Sequence, residues 1–545
     1  MNSPATNSTK KICLKISDVA PRFGATKLAA AAIRGALTLA LLVALLLIAG
    51  LPAPAQTESV LYNFTGLNDG SNPNPGLTPD GAGNYHGTTL SGGTGDGGYG
   101  AGTVFELSPN GNGGWKETVL YNFCSAPSCA DGGQPYAGVI FYRAGNLYGT
   151  TNYGGTSGCI ITGGCGVVFE MSPPGASWTE TVLYNFCTQG TGGSCPLGNI
   201  PVGRLAMDSA GNLYGADADG IFELSPSDGG WTLQLIYVVP GSSGVIMDAA
   251  GNLFGVGVSG YTGKEIAFEL SPNGQGGWNS AVIYTFTTGP TGSAIWSGLA
   301  LDQAGSLYGT ESAYYNIHKK PLNFRGTVYK LSPGESGWTM ATLFTFTPDE
   351  SQTEGNVPVG VTLDAAGNIY GTTSQGGTDG LGTLYELVPV GKGKYQQRVQ
   401  WNFNGTDGSG PNGGLVLDSA GNLYGTTPAG GSNGAGVVFE VTPLPILMTT
   451  TTLTSSPNPS TSGEAVTFTA VVSSSAGAPP NGETVPFMKG TTVLGTGTLS
   501  GGSASFVIST LDVGTTSVTA VYPGDFGFIG SKSNTVKQVV EKAAP

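Results

Sequence analysis

Histidine is almost missing from this chain: His86 and His318 are the only two in 545 residues. That excludes a multi-histidine metal centre and leaves a histidine-based catalytic triad almost no material. Charge is scarce as well, at 10% of residues, while hydrophobic side chains reach 39%. A disordered chain has the opposite balance. Only one long apolar run occurs, Gly35 to Gly50. No P-loop or His-Glu-x-x-His motif is present. What the chain has in quantity is 92 Gly and 34 Pro, with Val, Thr, Tyr and Phe between them. This composition predicts many short strands and turns and excludes a helical bundle.

The apolar run follows six basic residues (Lys10, Lys11, Lys15, Arg22, Lys27 and Arg34) and precedes Leu51-Pro52-Ala53-Pro54-Ala55-Gln56. A basic region, an apolar stretch and an Ala-x-Ala site predict a secretory signal over 1–55, cleaved after Ala55. Roughly 16 clean apolar residues are short for an uncleaved anchor. Removal of 1–55 takes basic side chains from 21 to 15 and acidic ones from 35 to 34, a net charge near −19. Such a surface repels nucleic acid and anionic lipid, so neither is an expected partner, and no membrane span remains. The expected product is a monomer, secreted or held at the cell surface.

Six cysteines remain after that cleavage: Cys124, Cys129, Cys159, Cys165, Cys187 and Cys195. An even number in an exported chain favours disulfides. Cys124/Cys129 and Cys187/Cys195 each follow a Tyr-Asn-Phe tripeptide, so three local bridges are expected, with Cys159/Cys165 the third. The spacings are not those of a Cys metal cluster, and no metal or cofactor is expected.

Repetition is the strongest signal. Gly-Leu-x-x-Asp-x-Ala-Gly-Asn-Leu-Tyr-Gly-Thr-Thr recurs at 76–89, 138–151, 204–217, 244–257, 298–311, 360–373 and 414–427. A Gly-Thr-Val-Phe-Glu-Leu-Ser-Pro element follows each copy, and Val-Leu-Tyr-Asn-Phe precedes each. Every unit thus offers four strands: a (Gly-Leu-x-x-Asp), b (Asn-Leu-Tyr-Gly-Thr-Thr), c (Thr-Val-Phe-Glu-Leu) and d (Val-Leu-Tyr-Asn-Phe). Seven such quartets describe an all-β fold, a seven-bladed β-propeller over 56–445. The repeat starts on a d strand and ends on a c strand. Val60–Phe64 is therefore expected to complete the last blade beside 436–442, leaving no open edge.

Loop lengths separate the two sides of the disc. The a–b turn never changes, and the c–d connection, usually carrying Trp (Trp115, Trp178, Trp231, Trp278 and Trp338), barely does. The b–c and d–a connections vary widely and hold all six mature Cys, so their side is the candidate binding face. Asp69, Asp131 and Asp407 lie there in Asp-Gly steps. They read either as turns or as a carboxylate ring for Ca²⁺ or a sugar, although no Asp-x-Asp-x-Asp-Gly cation loop is present. Tyr99, Tyr136, Tyr153, Tyr261, Tyr314 and Tyr315 are candidate stacking platforms, or packing residues. The strand-c Glu (Glu106, Glu170, Glu223, Glu269, Glu386 and Glu440, with Lys330 in the remaining unit) reads as structural, because it recurs around the ring.

After Pro445 the composition shifts to Thr, Ser and Val in short alternating runs, predicting an immunoglobulin-like β-sandwich over 446–545 that serves as a spacer. The repeat motifs resemble the GloVer (Gloeobacter/Verrucomicrobia) tandem repeat of bacterial surface proteins. Thr519-Ala520-Val521-Tyr522-Pro523-Gly524-Asp525, with Thr449–Thr452, resembles bacterial Ig-like repeats of group 3. The GloVer resemblance implies no catalytic residues. Its members typically end in a sorting anchor, and the Glu541–Pro545 ending points away from covalent attachment. The expected function is a non-enzymatic binding or adhesion protein for an extracellular glycan or protein. The alternatives are a carbohydrate-active hydrolase or lyase using face Asp/Glu, and a structural surface or matrix component.

Overall fold

In the computed structural model, residues 57–95, 100–142, 145–156, 165–173, 178–187, 200–286, 293–294, 298–313, 326–346, 354–475, 477–525 and 527–543 are described. They form seven antiparallel sheets in succession, for example Val245–Met247, Leu253–Val258, Glu265–Pro272 and Trp278–Thr285 in blade four. The architecture is a seven-bladed β-propeller. In each blade the c–d pairing slips register beside the strand-c aromatic, so that Phe105 faces Val119 while Val104 faces Tyr121, and Leu120 is the extra residue; blade six slips a second time between Pro389 and Gly391. A bulge of this kind bends the outer strand. The terminal Phe then leaves its own sheet and packs edge-on against the strand-c aromatic of the next blade. Phe123–Phe169, Phe186–Phe222, Phe286–Tyr329, Phe346–Tyr385 and Phe403–Phe439 all sit 5.1–5.5 Å apart.

The ring closes as the motif order predicts. Thr57–Asn63 pairs antiparallel with Val437–Thr442, with Val60 opposite Phe439. Phe64 continues into the core of blade one, 5.2 Å from Phe105. Asn63 Oδ1 accepts the Ser432 amide at 2.7 Å, and the Asn433 side chain donates to the Phe64 carbonyl at 3.1 Å.

Two details differ from the sequence reading. Strand a is often split: Ser71–Pro73 and Thr78–Pro79 both pair with Tyr85–Ser91, so part of the supposed d–a loop belongs to the inner strand. In blade one Pro75, between the two segments, cannot donate to a ladder. The Trp assigned to the c–d connection stands on strand d itself in Trp115–Asn122, Gly230–Val238 and Trp278–Thr285. From there Trp278 packs 5.4 Å from Tyr214 of the preceding blade and donates to Glu223 Oε2 at 2.9 Å.

The glycine of strand b is required by this core. A Cβ on Gly87, Gly149 or Gly425 would lie 2.5 Å from the ring tip of Phe105, Phe169 or Phe439. Tyr329 and Tyr385 occupy the same position in blades five and six, fully buried, and their hydroxyls have no hydrogen-bond partner among the described residues. Tyr329→Phe and Tyr385→Phe should each therefore stabilise the protein by about 1 kcal/mol, the cost of an unsatisfied buried hydroxyl. Thermal melts check this, and a loss of stability in both variants would contradict it.

Residues 447–541 contribute nine strands joined in one mixed sheet. Its parallel pairings are Leu447–Ser456 with Phe528–Lys532 and Ser460–Thr461 with Val536–Glu541. Leu453, Phe468, Phe487, Val518 and Tyr522 share one core. Gln396 on the outer strand of blade six joins this sheet to the ring: its amide donates to the Pro523 carbonyl at 2.9 Å and accepts the Gly530 amide at 3.0 Å.

Candidate functional site

The a–b side is rigid because each Asp of the repeat caps its own turn. Asp364 Oδ1 accepts the amides of Ala366 and Asn368, both at 2.9 Å, and Oδ2 accepts the Asn368 side chain at 2.7 Å. Asp80, Asp208, Asp248 and Asp418 repeat this pattern. In several blades the Tyr of strand b adds a further donor, as Tyr424 does at 3.2 Å from Asp418. The Asp-x-Ala-Gly-Asn-Leu-Tyr spacing is thus an Asx turn.

The strand-c Glu is similarly engaged. Tyr148 donates to Glu170 at 3.1 Å and Tyr424 to Glu440 at 2.9 Å. Glu386 is buried and takes Arg398, Gln400 and Tyr370 at once. Lys330, in the one blade without Glu, pairs with Asp302 at 3.2 Å.

On the opposite side the predicted acids are pins of their own loops. Asp69 accepts the Tyr62 hydroxyl at 2.8 Å and the Thr65 amide at 2.9 Å. Asp131 takes the Tyr121 hydroxyl and the Ser125 amide, both at 2.8 Å. Asp407 takes the Trp401 indole at 3.0 Å and both nitrogens of Asn404. The three occupy equivalent positions on different blades and share no site. Next to each stands a glutamate of the adjacent outer strand: Glu117 beside Asp69, Glu180 beside Asp131 and Glu58 beside Asp407. Burial, and then the neighbouring Asp, push these glutamates up to about 7, 8 and 7 respectively.

Tyr153 packs into the core of blade two. Tyr136 and Tyr261 are exposed. Tyr99, Tyr314 and Tyr315 lie outside the described residues. Cys124 and Cys129 form a disulfide, as the local pairing expects. Cys165 and Cys187 are each disulfide-bonded as well, but not to each other, since their sulfurs lie 2.9 Å apart; Cys159 and Cys195 lie outside the described residues.

The inner strands surround a cavity of about 1060 Å³. Its walls are small and apolar (Leu77, Leu205, Val245, Leu299 and Leu415), and Leu90, Ala218 and Pro428 at the start of b–c loops carry it toward the variable side. Arg204 and Asp217 also line it. Six repeat copies begin with Gly, at 76, 138, 244, 298, 360 and 414, and the third begins with Arg204. The sequence reading passed over this residue, and the departure from glycine was the signal that could have found it. Arg204 Nη2 donates to Thr78 Oγ1 of blade one at 2.7 Å. The side chain retains open area in the cavity, yet protein surrounds it, and that burial holds its pKa below the usual arginine value. Asp217 accepts the amides of Asp219 at 2.9 Å and Gly220 at 3.0 Å, and burial raises its carboxyl to about 6.

The Gloeobacter/Verrucomicrobia repeat matches residues 50–238 and 240–509, and the chain belongs to that family. Among curated proteins none matches. Three solved structures are similar at low identity. The extracellular domain of BT4673 from B. thetaiotaomicron is 13% identical at a TM-score of 0.42, over 90% of this chain and 60% of that one, so the chain spans well under two thirds of its length. The PQQ-bound aldose sugar dehydrogenase of Streptomyces coelicolor is 14% identical at 0.37, over 72% and 99%. Trypanosoma rangeli sialidase with the inhibitor DANA is 9% identical at 0.38, over 89% of each.

Proposed function

We propose that this Gloeobacter/Verrucomicrobia repeat protein is an exported binding protein that recognises an extracellular glycan or protein on the variable-loop side of the ring. One observation carries the reading: Leu90, Ala218 and Pro428, at the start of the variable b–c loops, line the cavity, whereas the a–b turns are fixed in length and held by their own Asp caps. Binding sites favour concave, mostly apolar spaces with few polar groups. A disulfide at Cys124–Cys129 supports an oxidising, extracellular setting. Among the described residues no helix is long and apolar enough to cross a membrane. Cleavage after Ala55 would leave only Gln56 ahead of the closing strand. The strand-rich C-terminal segment acts as an Ig-like spacer, fixed to blade six through Gln396. Asp69, Asp131, Asp407 and Glu386 hydrogen-bond to their own loops and strands, which favours binding over hydrolysis.

The test is a glycan array probed with the full mature chain, with reducing-end release measured on every hit. Saturable binding without product is expected. Release of reducing ends, or no binding across a broad array that includes protein ligands, would overturn the reading.

A further inference from the structure

Arg204 breaks the seven-fold pattern at the place where the blades come nearest the axis. A Cβ on Gly138 would lie 2.1 Å from the Gly76 carbonyl oxygen, so side chains are excluded from parts of this ring. Arg204 instead extends from blade three past Gly76, where its Cδ would lie 3.9 Å from an added Cβ, and reaches Thr78. Thr78 Oγ1 is itself committed as a donor to the Val139 carbonyl, which fixes its acceptor lone pair toward the guanidinium. This bond uses one of the five N–H groups of the guanidinium.

Among the described residues no carboxylate answers the charge. The ion pairs among the described residues are His86–Glu106, Lys330–Asp302 and Arg398–Glu386. Asp217 shares the cavity but turns Oδ1 to the backbone of Asp219 and Gly220, and its other oxygen has no partner among the described residues. The guanidinium is open to the cavity, so an anionic acceptor that enters there can meet it. Its planar fork matches a carboxylate bidentately. The surrounding leucines and valines favour an organic body over a bare inorganic ion.

We propose that the central cavity is a binding site for a small organic carboxylate, whose carboxylate pairs with Arg204 and whose remainder packs against the inner-strand walls. This goes beyond recognition on the loop face and does not require it.

The test uses the full mature chain and its Arg204→Gly variant in calorimetric titrations with D-glucuronate, hexanoate, D-glucose and inorganic phosphate. The variant restores the residue of the other six blades, so it should fold. A melt of the unliganded variant verifies that, and Arg204→Lys serves as a second variant if it does not. Saturable binding of glucuronate or hexanoate is expected, falling about tenfold or more in Arg204→Gly, with glucose and phosphate weak on both proteins. Which carboxylate binds tells a sugar acid from an aliphatic acid. Equal carboxylate binding to both proteins, phosphate binding as tight as carboxylate, or no saturable carboxylate binding to the natural chain would each overturn the proposal. Loop-face recognition is read separately: glycan-array hits that persist in Arg204→Gly leave that reading standing even if the cavity site fails.

Discussion

Removal of residues 57–63 from the mature chain is expected to abolish cooperative folding of the ring. The strand is the outer member of blade seven, and its loss exposes the edge of Val437–Thr442, where Val437, Val438, Phe439 and Val441 are fully buried. It also unseats Phe64 from Phe105. At about 25 cal/mol per Å² of apolar surface, uncovering several such side chains costs on the order of 5 kcal/mol or more, comparable with the whole stability of many domains. An unpaired edge of this kind also invites aggregation. Phe64→Ala is the milder form of the experiment and should cost about 3–5 kcal/mol. A truncated chain that melts like the intact one would show that the first strand is dispensable.

The second large effect is a dependence on pH set by Glu58, Glu117 and Glu180. Each has an oxygen that is buried without a partner among the described residues, and each faces an Asp across a blade boundary. Their folded pKa values, about 7, 7 and 8, lie above the ordinary 4.5. The folded state therefore holds protons that the unfolded state has released. Stability from these groups is full below about pH 4.5 and is lost as pH rises through 7 to 8. A shift of 2.5 units corresponds to about 3.4 kcal/mol, but these side chains are partly solvated, and about 1 kcal/mol each is a fair allowance after screening. The triple Glu→Gln variant should thus be more stable than the natural chain at pH 8.5 by about 3 kcal/mol in all, with the advantage vanishing near pH 5. His86, whose pKa burial lowers, works in the opposite sense, but it is common to both proteins and cancels in their difference. Denaturant melts at the two pH values decide it, and an equal gap at both would contradict the linkage.

How much of this was legible beforehand follows from what each residue answers to. The a–b turn and strand b were legible because Asn368 and Gly371 answer to local geometry, which the repeat copies display over and over. Closure was legible because a d strand was surplus at the start and missing at the end. Residues that answer to a neighbouring blade were less readable. Trp278 looks like a loop residue until Tyr214 and Glu223 of the preceding sheet stand beside it. Asp131 and Glu180 lie 49 positions apart in sequence, and only the ring makes them neighbours. Arg204 was missed for a different reason: aligning seven copies draws attention to what they share, and this side chain matters because the others lack it. Alternation pointed to five of the C-terminal strands, between 465 and 540, out of nine, and the parallel pairing of Leu447–Ser456 with Phe528–Lys532 depends on a contact between distant segments that alternation does not encode.

The most direct measurement is backbone hydrogen exchange on the intact mature protein, resolved to segments 57–63 and 437–442. If the chain's first strand truly seals its last blade, these two segments must exchange slowly and in the same time window, because one cannot open without the other. Rapid exchange of 57–63 while 437–442 stays protected would contradict the closed ring, and with it the enclosed cavity around Arg204.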